Sequence, residues 1–160
     1  MKLTSLGIDL SATATGLVAL EESDKPSPTL LLEREISCKK GVVGAARNRE
    51  IVLEIMETVH ELKPSKIVIE GYSMNSRNLG TVVILAELGG LLRFMLHLDE
   101  FKWFDPSASE VKKFVTGKGN GDKAQMMMHV LKRWGHEAKS HNTADAYGLA
   151  CMGLAQQNRP

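Results

Sequence analysis

A chain of 160 residues, 43% apolar and 24% charged, suits one globular domain, and its composition excludes disordered, collagen-like and disulfide-framework proteins. Two unclustered cysteines, Cys38 and Cys151, and the lack of a signal peptide before Leu3 predict a reducing, cytoplasmic setting. The net charge of +1 averages over an uneven distribution, because residues 101–135 carry seven Lys/Arg against three Asp/Glu and the rest carries thirteen against sixteen.

LTSLGIDL (3–10) reads as a strand, GLVALEE (16–22) as its hairpin partner and LLLEREIS (30–37) as a third strand, so the chain opens as an antiparallel meander. Residues 37–49 add Lys39, Lys40, Arg47 and Arg49 with no acid among them. Local basic patches can follow a phosphate backbone while acids gather elsewhere; the alternative is lysines solvated on helix faces. Ile51, Ile55, Met56, Val59 and Leu62 mark an amphipathic helix over 45–62, which Pro64 ends. KIVIE (66–70) has the continuous apolar pattern of a strand covered on both faces. A second, strongly apolar helix over 78–98 contains Glu87, Arg93 and His97, which argue against a membrane span. FKWFD (101–105) reads as a fifth strand, 106–115 as a short helix, TGKGNGD as a glycine-rich loop, 123–134 as a helix and 141–156 as the last one. The prediction is a single α/β domain over 1–158, with a five-stranded mixed sheet whose first three strands are antiparallel, flanked by helices. That order resembles the ribonuclease H-like fold.

Three acids occupy apolar surroundings, where an unpartnered carboxylate costs several kcal/mol. Asp9 sits in the first strand among Leu6, Ile8 and Leu10, and is either an edge or turn residue or part of a site. Glu70 ends the central strand, where ligands of open α/β sheets gather, and is either a strand-terminating polar residue or a ligand. Asp145 lies on a last helix that is apolar nearly all round. If Asn142 is its N-cap, Asp145 falls at N3 and reaches back to the cap; otherwise it serves a site with its neighbours His141 and Asn142. Together the three acids suit Mg²⁺, a hard cation bound by one or two carboxylates plus waters and phosphate oxygens, with Mn²⁺ able to substitute. No Cys/His spacing suggests zinc.

LGIDLSATATG (6–16), IVIEGYSMN (67–75), VKKFVTGKGNGDK (111–123) and HNTADAYGLA (141–150) follow one another in an order that resembles the RuvC-like Holliday junction resolvases, phage-type members in particular. The resemblance implies a homodimeric, Mg²⁺-dependent endonuclease that binds branched or four-way junction DNA and nicks two opposed strands symmetrically. It implies that Asp9, Glu70 and Asp145 are the metal-binding and catalytic acids. The family's further acid, three residues before the last, is Asn142 here. Asn142 binds through its neutral oxygen, His141 replaces it, or the site is impaired and the protein binds junctions without efficient cutting. By resemblance Lys112 and Lys123 lie near the catalytic centre, with Lys118 in the loop between them; their other reading is solvated lysines on a flexible loop. The resemblance also implies that the GYSMNSRN loop enters the junction with Tyr72 and Arg77, where Tyr72 stacks on a base or else packs in the core. The helix over 79–98 forms a twofold interface or a core helix. The glycine-rich loop lacks a P-loop ending, so no nucleotide cofactor is expected. LGIDLSATATGLVAL also resembles the phosphate hairpin of actin-like kinases, which leaves a phosphotransferase fragment as a distant rival.

Overall fold

A computed structural model describes residues 2–72, 78–119 and 122–156. Strands β1 (Thr4–Asp9), β2 (Thr15–Glu21) and β3 (Thr29–Ile36) form the antiparallel meander. Helix α1 (Gly44–Leu62) leads to β4 (Lys66–Ile69), which lies parallel to β1 on its other side. Helix α2 (Leu79–Leu98) leads to β5 (Trp103–Phe104), parallel to β4, and α3 (Ala108–Thr116), α4 (Lys123–Trp134) and α5 (His141–Ala155) complete the chain. The sheet order is β3-β2-β1-β4-β5, a mixed sheet of the predicted kind. The fifth strand is shorter than FKWFD: only Ile67↔Trp103 and Val68↔Phe104 pair, and Pro106, which has no N–H to donate, follows one residue later.

Side chains alternate across a strand, and the two sheet faces are covered by different helices. Leu6 and Ile8 of β1, Leu17 and Ala19 of β2, and Ile67 and Ile69 of β4 pack with α1 and α2. Val18, Leu20 and Val68 pack on the opposite face with α3, α4 and α5. Helix α1 stops at Lys63, which adopts a left-handed φ of 43° and donates its N–H to Val59 O at 2.8 Å; Pro64 bars any continuation. Capping boxes at Ser107 and Glu110 and at Asp122 and Gln125 start α3 and α4.

Helix α2 is long and apolar enough to cross a membrane by length and composition alone. Its inner side packs into the core through fully buried Leu88, Leu92 and Leu96. Its outer side exposes Leu79, Val83, Leu91, Phe94 and Leu98. Within it, Arg93 pairs with Asp105 beyond β5, which ties the helix to the sheet.

Candidate active site

The alternation that buries Ile8 and Ile69 against α1 decides where the first two acids go. Ile8 and Ile69 are register partners on adjacent parallel strands, and the next residue on each strand is an acid, Asp9 and Glu70. The Glu70 N–H still donates to Ile8 O at 3.4 Å, so the pairing geometry carries one residue past Ile8 and Ile69. Asp9 follows Ser5 and Gly7 at period two, and Glu70 follows Val68, which directs both toward the face covered by α5. Two carboxylates therefore stand side by side at the carboxyl ends of neighbouring parallel strands, where α/β sheets gather ligands.

Helix α5 supplies the third acid by lying very close to the sheet. A Cβ on Gly7 would come within 2.0 Å of Ala146 O and 2.6 Å of Ala150 N, and one on Gly16 within 2.2 Å of Asn142 O. Only glycine at these strand positions admits the helix. Asp145 and Asn142 thereby join Asp9, Glu70, Ser11 and Lys112 around one cleft of about 260 Å³, with Leu10, Val111 and Met126 as apolar walls. His141, the first residue of α5, is exposed and does not line it.

The capping reading of this helix is corrected. Ser140, not Asn142, is the N-cap: its Oγ accepts the Thr143 N–H at 3.2 Å, while its own N–H donates to Thr143 Oγ1 at 3.0 Å. Thr143 occupies N3, so Asp145 is two residues too far along to complete a box. Ser140 wins because its backbone is extended, as a cap requires, whereas Asn142 already lies inside the helix and its amide donates to Glu35 Oε1 at 2.9 Å. Glu35 is thus drawn to the edge of the site from β3, which nothing in its local sequence signals. Ser140 was legible as a serine just before an apolar run.

Burial, and next the neighbouring Asp145 charge, push the Glu70 carboxyl up to about 7, while Lys112 pulls it the other way. A carboxyl raised on folding favours the folded state below its unfolded value, and that contribution is lost as pH rises through the folded value of about 7. Glu70→Gln, which keeps the shape and removes the charge, is therefore expected to stabilise the metal-free protein at about pH 8 by up to ~3 kcal/mol, with a much smaller gain at about pH 5. Urea denaturation at the two pH values measures this, and equal gains would show that Glu70 carries no such strain.

Among the described residues, no three His, Cys, Asp or Glu side chains already enclose a metal position. The donor set nevertheless fits a hard cation: three carboxylates and one amide line an open cleft, and, beyond burial, the Asp145 charge raises the Glu70 carboxyl, a repulsion that a bound cation would relieve. Mg²⁺ takes one or two carboxylates and fills its remaining positions with water and phosphate oxygens, so a partly open set suits it better than a closed cage.

Tyr72 is half exposed, which removes the core-packed reading. Its hydroxyl accepts from Arg93 Nη1 at 3.1 Å, and the guanidinium lies 4.6 Å from the ring centroid. Arg93 also donates through Nε to Asp105 Oδ1 at 3.1 Å, and Trp103 Nε1 donates to Asp105 Oδ2 at 2.9 Å, so α2, β5 and the segment after Glu70 share one polar cluster. Sequence reading missed this cluster, since Arg93 looks like a solvated charge on a helix. Lys118 is exposed in the turn after α3. Lys123 opens α4 directly after its cap, with its side chain outside the described residues, and Arg77 lies outside them altogether.

Residues 5–152 match the family model described as crossover junction endodeoxyribonuclease RuvC. The chain belongs to the RuvC family. A RuvC from Brachyspira hyodysenteriae is 27% identical over 164 residues, spanning 98% of this chain and 96% of that protein. RuvC of Thermus thermophilus, solved in complex with a Holliday junction substrate, superposes with a TM-score of 0.83 at 18% identity over 96% of this chain and 95% of that one. The yeast mitochondrial Holliday junction resolvase gives a TM-score of 0.68 at 12% identity over 94% of this chain and 77% of that one. Identities this low carry the fold, and the fold is that of the RuvC and ribonuclease H-like resolvases, as the motif order suggested. The opening hairpin, whose residues resemble the phosphate hairpin of actin-like kinases, is here the first part of a RuvC-family match over residues 5–152.

Proposed function

We propose that this RuvC-family chain is a structure-selective endodeoxyribonuclease that resolves four-way or branched DNA by symmetric, Mg²⁺-dependent nicking, with Mn²⁺ able to substitute. The observation that carries the reading is the convergence of Asp9, Glu70, Asp145 and Asn142 on one cleft beside Lys112. Divalent-metal dependence is general to the family, and these four residues would hold the metal. Such a metal, when bound, activates a water and stabilises the leaving oxygen of a phosphodiester. The chain's own residues then have separable tasks. Lys112 offsets the charge of a phosphate brought against three carboxylates, and Leu10, Val111 and Met126 limit the access of bulk water. Lys118, Lys123 and Arg77 are assigned to the DNA backbone, with Lys123 at a helix start where free N–H groups also favour a phosphate. Half-exposed Tyr72 is assigned to stack on an unpaired base, a contact of ~1–3 kcal/mol.

Symmetric nicking needs two copies of the cleft, and α2 supplies the apolar stripe for a homodimer through Leu79, Val83, Leu91, Phe94 and Leu98. The functional unit is assigned to residues 1–158 and to the cytoplasm, a setting compatible with the free thiols of Cys38 and Cys151. Asn142 in place of an acid favours one competing reading, a junction-binding protein that cuts poorly. The two are separated by incubating the protein with a synthetic four-way junction and a linear duplex in Mg²⁺ and in Mn²⁺. The expected result is nicking of the junction at least ~10-fold faster than the duplex, equivalent to ~1.4 kcal/mol in barrier. Tight junction binding with no cleavage in either metal establishes the binding-only reading.

A further inference from the structure

We infer that Glu35 is a positioning residue for the cleft: its carboxylate fixes the Asn142 amide so that the carbonyl oxygen, not the NH₂ group, is offered to a bound divalent cation. The inference rests on the reading of the cleft as a metal-dependent nuclease site. Glu35 stands on β3 opposite Gly16 of β2, and Gly16 is where the Asn142 backbone comes down onto the sheet. From there Glu35 Oε1 accepts Asn142 Nδ2–H at 2.9 Å and also accepts from Ser140 Oγ. An ionised carboxylate can only accept hydrogen bonds, so the amide has no choice of orientation beside it. With Nδ2 held against Glu35 through one of its two N–H bonds, Oδ1 is the acceptor left to Asn142, a residue that lines the cleft with Asp9, Glu70 and Asp145.

The same contact bears on charge. Position 142 is neutral, but a carboxylate sits one hydrogen bond behind it and polarises the amide toward its oxygen, as partners of metal-ligating groups do. β3 also grips the approach to α5 a second time, where Glu33 Oε1 accepts the Lys139 N–H at 2.8 Å, so the strand holds the segment leading into the helix as well as the amide. An aspartate at 142 would set two carboxylates within hydrogen-bond distance, so Glu35 and Asn142 form a matched pair of acceptor and donor.

The test is Mn²⁺ affinity by calorimetry on the DNA-free protein, with thermal unfolding of the same samples. Glu35→Ala is expected to weaken Mn²⁺ binding by about tenfold, the usual lower range for losing a partner of a ligating group. Glu35→Gln combined with Asn142→Asp keeps the net charge and the hydrogen bond, reverses donor and acceptor, and puts a carboxylate on the cleft. This double variant is expected to bind Mn²⁺ at least as tightly as the wild type and more tightly than Asn142→Asp alone. The inference is overturned if Glu35→Ala lowers only the unfolding temperature and leaves affinity within about twofold of wild type. It is also overturned if Asn142→Asp alone matches the double variant, or if the wild type binds no Mn²⁺. A wild type that shows the expected affinity pattern but never cuts a junction overturns the nuclease reading instead.

Discussion

Asp9→Asn is expected to slow junction cleavage by at least about a thousandfold, ~4 kcal/mol of transition-state stabilisation, while junction affinity in the absence of metal stays within about threefold. The substitution keeps the shape of the side chain and removes one negative charge from a position whose strand neighbour is Glu70 and whose cleft also holds Asp145. Asparagine cannot replace a carboxylate as an anionic oxygen donor, so the loss falls on the reaction. Under the proposed function, DNA affinity is assigned to lysines and Tyr72, which the substitution does not touch. Single-turnover cleavage and gel-shift titration of the same junction separate the two effects. Turnover equal to wild type would remove Asp9 from the machinery, and equal losses of cutting and binding would assign it a structural task.

The second large effect is expected on stability, from Gly7→Ala, which should destabilise the fold by about 3 kcal/mol or more. The added Cβ would lie 2.0 Å from Ala146 O and 2.6 Å from Ala150 N, both backbone atoms of α5, so no side chain can swing aside to make room. The helix must lift from β1 or the strand must bend, and either movement separates fully buried Leu149 and Ala150 from Val18 and Val68. Because α5 also carries Asn142 and Asp145, the surviving folded fraction should bind Mn²⁺ more weakly than wild type. Urea denaturation reads the stability, and a change below about 1 kcal/mol would show that the helix has room to spare.

The elements themselves were legible because each has a local cause. Periodicity in α1, the continuous apolar run of β4 and the breaker at Pro64 are properties of neighbouring residues, so the order of strands and helices followed from the chain alone. Less was visible at the last helix. Ser140 and Asn142 are both good capping residues; Ser140 caps because its backbone is extended, while the Asn142 amide donates to Glu35, 107 positions away. Arg93 was read as one charge in an apolar helix, and its role became visible only where Asp105, Trp103 and Tyr72 meet it.

The amino-acid sequence by itself determined that costly acids stand at Asp9, Glu70 and Asp145, that the chain is α/β, and which ordered motifs mark its family. Burial cost and hydrophobic period are set residue by residue, and so survive without coordinates. Only the tertiary structure decided that Asp9 and Glu70 emerge side by side from parallel strands and that Asn142 rather than His141 lines the cleft. It alone decided that a strand carboxylate reaches that asparagine. Those outcomes depend on strand register and on how closely one helix approaches the sheet, and both are fixed by contacts between segments far apart in the chain.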